Sequence, residues 1–303
     1  MRTAFIETLC AAAESDSRIW FVTGDIGYTV VERFAERFPN RFLNVGVAEQ
    51  NMAGIAAGLA LSGAIVVTYS IANFPTLRCL EQLRNDVCAH NLNVKVVAVG
   101  GGLVYAAAGY SHQAVEDFAF LGTLPNMTVI APGDPVETRL ALRAILAMPG
   151  PAYLRLGKTG ESLVHRNDPP FEVGRMIPLC RGPDATIIST GGMLETCVQA
   201  AEALLKKGIR TTVWSSPTLV PLDEESLLKS ARETGRVVTV EEHGPGGLGT
   251  MVGEALARHG VAARFHPIRL SRGVIAQAGS QAPLRAAQGL SVEGVVAAVE
   301  ALG

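Results

Sequence analysis

The sequence predicts an α/β protein of two domains, each a mostly parallel sheet covered by helices. Three observations carry this expectation. Short apolar runs rich in Val and Ile alternate with segments of helical spacing along most of the chain, the succession that builds parallel sheets. A polar, turn-rich stretch containing Pro169 and Pro170 breaks that rhythm, which divides the chain into a first domain over 1–160, a linker over 161–183 and a second domain over 184–303. Finally, 303 residues of which 48% are hydrophobic and 18% charged suffice to bury two cores.

The elements follow in order. "TAFIETLCAAA" has helical spacing, and "IWFVT" is a strand ending at "GDIG". "VVERFAERF" reads as a short amphipathic helix and "RFLNV" as the next strand. The run from Glu49 to Leu61 is helical and "AIVVTYS" is a strand. "PTLRCLEQLRNDVCAH" predicts a strong helix with Pro at its start. "VKVVAVG" is a buried strand opening into a Gly-rich loop, and "MTVIAP", the helix "PVETRLALRAIL" and "PAYLRL" close the first set. Beyond the linker, "ATIIST", "RTTVWS", "RVVTVEE" and "VAARFHP" alternate with helices, predicting a smaller sheet of about five strands.

Composition narrows the function. A net charge of −2 offers no broad basic field, which argues against nucleic acid or a membrane surface as the main partner. Cys10, Cys79, Cys88, Cys180 and Cys197 are odd in number and form no CxxC, the pattern of reduced thiols in a cytoplasmic protein. Glu7 interrupts the apolar start, so no cleaved leader is expected. Met52 to Val67 is Gly- and Ala-rich and short for a membrane span, which needs ~20 apolar residues.

Four stretches stand out chemically. In "NVGVAEQNMAGIAAGLA", Glu49, Gln50 and Asn51 stand at the mouth of an apolar run. In "GDIG", Asp25 follows a strand and suits a tight turn as well as a site. Phe74 follows the end of another strand, where open α/β sheets bind ligands, although a core aromatic at such a corner is commoner. The loop over 100–117, nearly free of charge, delivers His112 just before a helix and could close over a ligand; a flexible surface loop would look similar. Separately, Gly244, Gly246 and Gly249 in "GPGGLG" fit a dinucleotide fingerprint between a strand and a helix. The next strand lacks the acidic residue that would hold a ribose, which favours a structural turn.

In this order and spacing, GDIG, NVGVAEQNMAGIAAGLA, Phe74, GYSHQAVED, LPNMTVIAP, GPAYLRLGK, PLDEESL and VVTVEEHGPGGLG resemble the C-terminal half of transketolases over essentially the whole chain. The resemblance implies a pyrimidine-binding domain followed by a transketolase C-terminal domain, the arrangement of the C-terminal subunit of a split transketolase. The Gly-Asp-Gly…Asn pattern that holds magnesium on the diphosphate is missing, so the resemblance places the Mg2+ ligands on an N-terminal diphosphate-binding partner, in an α2β2 assembly, and none on this chain. It further implies thiamine diphosphate as cofactor and transfer of a two-carbon ketol unit between sugar phosphates. Glu49 would contact N1′ of the aminopyrimidine, Phe74 would stack on that ring, and Ile71 stands where many relatives have a second aromatic. Asp25 would lie near the cofactor. His112 would serve the substrate oxygens, Arg155 would grip the sugar phosphate, and Arg2 and Thr29 fall near two further phosphate-contacting positions. Ala108 replaces an Asp that reads an acceptor hydroxyl, and Gly100 stands near a missing second His, which implies an altered substrate range. A deoxyxylulose-phosphate-synthase-like carboligase and a 2-oxoacid dehydrogenase β subunit stay open as alternatives, as does a dinucleotide-binding or regulatory module.

Overall fold

The computed structural model describes residues 1–158 and 160–303. The first half runs α1 (Arg2–Ser15), β1 (Ile19–Thr23), α2 (Glu32–Arg37), β2 (Phe42–Asn44), α3 (Glu49–Leu61), β3 (Ile65–Ile71) and α4 (Leu80–Gln82). It continues through β4 (Val94–Val99), α5 (Asp117–Leu121), β5 (Thr128–Ile130), α6 (Pro135–Ala147) and β6 (Ala152–Leu156). The second half runs β7 (Ile177–Cys180), β8 (Ala185–Ser189), α7 (Leu194–Lys206), β9 (Thr211–Ser215), β10 (Thr218–Val220) and α8 (Glu224–Thr234). Then come β11 (Arg236–Val240), α9 (Leu248–Arg258), β12 (Arg264–Ile268), α10 (Gln281–Ala287) and α11 (Val292–Ala301).

Two sheets result, ordered β10-β5-β6-β4-β3-β1-β2 and β12-β11-β8-β9-β7. Every pairing is parallel except those of β10 with β5 and β7 with β9. All six residues of β4 and all five of β6 are buried, as expected of strands covered by helices on both faces. Local signals set the helix ends. Asp134 caps α6 by accepting from the Glu137 amide at 2.8 Å, and Pro135, which has no amide proton to satisfy, takes the first helical position.

Three features depart from the sequence-based expectations. The strong helix expected over 75–90 is a 3-10 turn (Leu77–Cys79), the three-residue α4 and a π-helical turn (Leu83–Cys88). The Ala89 amide reaches back five residues to Arg84, and this wider turn carries Leu83, Val87 and Cys88 all into the core. The second sheet begins inside the stretch expected as linker, because β7 pairs with β9 as an edge strand, a position that tolerates Pro178. Lastly, β10 leaves the second half of the chain and extends the first sheet at β5, so the two halves share a sheet edge. Among the described residues no helix is long and apolar enough to cross a membrane.

Candidate active site

Parallel pairing of β1 with β3 sets Thr23 beside Tyr69 and so brings the loop after β1 next to Ser70. Glu49, the first residue of α3, lies in the angle between them and is 1% exposed. Its Oε1 accepts from Ser70 Oγ at 3.0 Å and its Oε2 from Arg78 Nη1 at 2.6 Å. A Cβ on Gly24 would come within 3.2 Å of Glu49 Cγ and 3.3 Å of Oε1, so the glycine of "GDIG" lets the backbone close over the carboxyl. Behind Glu49, Ala53, Ala56 and Ala57 pack into the core.

Phe74 and His112 meet because Asn73 ties their two loops together. Its Nδ2 donates to the Gln113 carbonyl at 2.6 Å and to the Ser111 carbonyl at 3.3 Å. The Phe74 and His112 rings then stand edge to face with centroids 5.3 Å apart. His112 Nδ1 lies 3.0 Å from Ser111 Oγ. The Arg78 guanidinium lies 4.4 Å from the centroid of Phe74, bridging that ring to Glu49. Beside them opens a cavity of about 440 Å³, lined among others by Asn73, Phe74, Leu77, Arg78, Tyr110 and Glu116. Tyr110 donates to Glu116 at 3.1 Å, and the carboxylate pushes the phenol pKa up.

The loop over 100–117 is not a free flap. An antiparallel bridge between Gly102 and Ala114 closes it, and Leu103, Ala106 and Val115 are buried in the core of the second sheet. Gly100 has φ +90° and a Cβ there would meet the Tyr105 ring at 2.2 Å, so no side chain can stand at that position. Ala108 is exposed in a 3-10 turn of the same loop.

Of the other expected residues, Asp25 is exposed, has φ +57° and exchanges hydrogen bonds with Asn44 at 3.0 and 2.9 Å. Thr29 is exposed with φ +68°, its amide on Glu32. Ile71 packs, half-buried, on the core cluster of the first sheet, and its carbonyl receives the Phe74 amide. Arg2 heads α1, with a buried Nε that finds no hydrogen-bond partner among the described residues. None of these four lines the cavity beside Phe74.

Arg155, expected to grip a sugar phosphate, is 7% exposed, with its guanidinium set among buried groups at the edge of a second cavity. Nε lies 3.0 Å from Asp117 Oδ2, and Nη2 donates to the carbonyls of Ala114 at 2.5 Å and Glu242 at 3.1 Å. Tyr153 also donates to Asp117, at 2.6 Å, and His243 stacks on Phe118. This buried cluster joins the two sheets. Burial drives the His243 pKa down to about 4, opposed by Asp117, so the imidazole is neutral. A second cavity of about 250 Å³ lies between the C-terminal edges of the two sheets, with Arg155, Lys158, Glu195, Glu242 and Arg285 in its wall.

The glycines of "GPGGLG" make no phosphate cradle, which corrects the dinucleotide alternative. The amides of Leu248 and Gly249 that open α9 are already occupied by the Glu241 carboxylate, at 2.7 and 2.8 Å. A Cβ on Gly246 would strike Ala119 at 2.5 Å, and one on Gly249 would strike Pro267 at 2.7 Å. These glycines serve close packing.

The arrangement is therefore a buried carboxyl, an aromatic face and an imidazole gathered at the C-terminal ends of parallel strands, beside an open cavity. Residues 1–160 match the family described as transketolase, pyrimidine binding domain, and residues 174–295 the family described as transketolase, C-terminal domain. The chain belongs to the transketolase family, and is of the C-terminal-subunit type found in split transketolases, a component of a transferase. It is 38% identical to an apulose-4-phosphate transketolase subunit of Phocaeicola vulgatus, covering 87% of this chain and 86% of that one. A putative transketolase C-terminal section of Methanocaldococcus jannaschii is 40% identical, over 86% and 83% of the two chains. A solved split-gene transketolase, described as an inactive beta4 tetramer, superposes with a TM-score of 0.91 at 37% identity, covering 99% of this chain and 97% of that one.

Sequence reasoning missed Ser70, Asn73, Arg78 and Glu116. Arg78 carried a signal, since it stands four residues after Phe74 at the mouth of a helix, a spacing that stacks side chains. Ser70 and Asn73 carried none, because their contacts depend on strand register and loop closure.

Proposed function

We propose that Glu49, Phe74 and His112 form the pyrimidine-side half of a thiamine-diphosphate site, completed by an N-terminal diphosphate-binding subunit in an α2β2 assembly in the cytoplasm. The complex would move a two-carbon ketol unit from a ketose phosphate to an aldose phosphate. On this reading residues 1–160 are the pyrimidine-binding domain and the C-terminal domain begins with β7.

The observation that carries the reading is the Glu49 carboxyl, 1% exposed, backed by apolar residues and linked through Arg78 to the Phe74 ring. The residues fit the cofactor. The missing Cβ of Gly24 leaves the carboxyl uncrowded at that side, and the Phe74 ring borders a cavity of about 440 Å³. When bound, thiamine diphosphate supplies a thiazolium that acts as electron sink for the ketol unit. This chain supplies the rest. Glu49 shares a proton with N1′ of the pyrimidine, in a site from which its apolar neighbours exclude water. Phe74 stacks on the ring. His112, with Nδ1 beside Ser111, turns Nε2 toward the substrate, where it stabilises charge developing on oxygen. Magnesium, which demands oxygen ligands in near-octahedral geometry, is assigned with the diphosphate to the partner. Asp25, exposed on the turn after β1, would lie near the cofactor and the subunit contact. The apulose-4-phosphate named for one relative supports the sugar-phosphate class, and the bare positions at Gly100 and Ala108 support a shifted choice of sugar.

The test is to combine the chain with its diphosphate-binding partner and measure ketol transfer. Glu49→Ala is expected to abolish transfer while leaving folding and assembly intact. Near-normal turnover of that variant at saturating cofactor would overturn the assignment.

A further inference from the structure

We propose that Arg78 holds the place of the aminopyrimidine ring in the cofactor-free chain and must swing aside before the cofactor seats. The inference rests on the reading that Glu49 and Phe74 receive that ring. A guanidinium is planar, carries N–H donors along its edge and stacks on aromatic faces, so it shares the recognition chemistry of an aminopyrimidine. Arg78 makes both expected contacts at once. Nη1 lies 2.6 Å from Glu49 Oε2, and the guanidinium carbon lies 4.4 Å from the Phe74 centroid. Ser70 already takes Oε1, so the other carboxyl oxygen, Oε2, is the one Arg78 covers. An incoming ring and the guanidinium cannot both lie on this face of Phe74 and at this oxygen.

The rest of the geometry suits a movable stand-in. The Arg78 side chain is 42% exposed and lines the cavity, whereas its backbone is fixed by the bond from its amide to the Asn73 carbonyl at 3.2 Å. Only the side chain needs to move. Glu116, an anionic group in the wall of the same cavity, offers the displaced guanidinium a new partner. The contact also answers a physical difficulty of a buried carboxyl. A buried carboxylate left without a counter-charge is strongly destabilising, and Arg78 supplies that counter-charge until the ring arrives. The consequence is a reduced apparent affinity, because only the fraction of molecules with Arg78 displaced can accept the ring.

The probe is 4-amino-5-hydroxymethyl-2-methylpyrimidine, the pyrimidine half of the cofactor, titrated into the full chain by calorimetry and ligand-observed NMR. Arg78→Ala is expected to bind it at least fivefold more tightly than wild type. Arg78→Lys, which keeps the charge but cannot stack as a plane, is expected to fall between them. In wild type, the Arg78 side-chain N–H resonance should lose its hydrogen-bonded shift as the probe saturates. Equal or weaker binding by Arg78→Ala, while Phe74→Ala and Glu49→Ala lose affinity, would overturn the stand-in role and leave the pyrimidine reading intact. An unmoved Arg78 resonance with the probe bound would overturn it as well. Binding to wild type that Phe74→Ala and Glu49→Ala leave unchanged, or no binding to any of the proteins, would take down both the pyrimidine reading and this inference.

Discussion

The Glu241 carboxylate sits at the N-terminus of α9, accepting from Leu248 N at 2.7 Å and from Gly249 N at 2.8 Å. Free amides at a helix N-terminus are what a pyrophosphate uses, and here the protein has filled that place with its own anion. A dinucleotide would have to displace a fully buried carboxylate. NAD at millimolar concentration is therefore expected to shift the thermal midpoint by less than about 0.5 °C, since a ligand stabilises only in proportion to its occupancy. Differential scanning fluorimetry checks this, and a shift of several degrees would reopen the glycine sequence as a nucleotide site.

The buried imidazole two residues along predicts an acid-side loss of stability. His243 Nε2 accepts from the Phe118 amide at 3.0 Å, which leaves the proton on Nδ1, directed to the Gly244 carbonyl at 2.8 Å. Its pKa is held down to about 4 against an ordinary 6.5, mainly by burial. Between those values the unfolded chain binds a proton that the folded chain refuses, so this contribution is complete above pH 6.5 and is lost as pH falls through about 4. Glu241 runs the other way. Burial raises it to about 7 from 4.5, so its contribution is complete below 4.5 and is lost as pH rises through about 7. His243→Gln keeps an acceptor for Phe118 N and cannot charge. Urea midpoints measured from pH 7 down to 4.5 should fall less steeply for this variant than for wild type, and parallel slopes would remove His243 as the cause.

Arg155 is expected to act on stability rather than on phosphate recognition. Its removal leaves Asp117, which is fully buried, with Tyr153 and the neutral His243 but no cation. Breaking a buried pair in this way costs about 3–5 kcal/mol. The thermal midpoint of Arg155→Ala should drop on the order of 10 °C. In the reconstituted enzyme its KM values for phosphorylated and unphosphorylated sugars should change by the same factor. A selective loss for the phosphorylated sugar with an unchanged midpoint would restore the expected clamp.

Arg155 also shows where the sequence ceases to be legible. Hydrophobic patterning sufficed for the succession of strands along the first half, because strands covered on both faces read as short, mostly apolar runs, as β4 and β6 do despite Lys95 and Arg155. Glu49 was legible because a carboxyl at the mouth of a run of Gly, Ala and larger apolar residues does nothing for packing and costs energy to bury. The sequence could not say that β10 would cross to the first sheet, since three short residues carry no record of which edge they pair with. Nor could it distinguish an arginine reaching toward solvent from one turned inward onto Asp117, because the deciding partner lies 38 positions earlier in the chain. The π-helical turn after Arg78 was hidden for a similar reason. Its sequence is a good α-helix, and the wider turn answers the packing of three side chains at once.

His112 and Asn73 allow a catalytic role to be separated from a positioning one. The His112 ring stands edge to face with Phe74, which lines the cavity, and its Nδ1 lies beside Ser111 Oγ. His112→Ala should lower kcat by about 10²-fold, the loss typical of removing one donor from a developing oxyanion, with KM little changed. Asn73 lashes the loop that carries His112 through the carbonyls of Ser111 and Gln113. Asn73→Ala should therefore leave the imidazole present but misplaced, lowering kcat by about 10-fold and raising KM, since small displacements of a reacting group are costly. The double variant should be little worse in kcat than His112→Ala alone, because loosening the loop has nothing left to misplace. Steady-state kinetics of the four proteins with the partner subunit check this, and losses that multiply independently would show that Asn73 acts by a route other than His112.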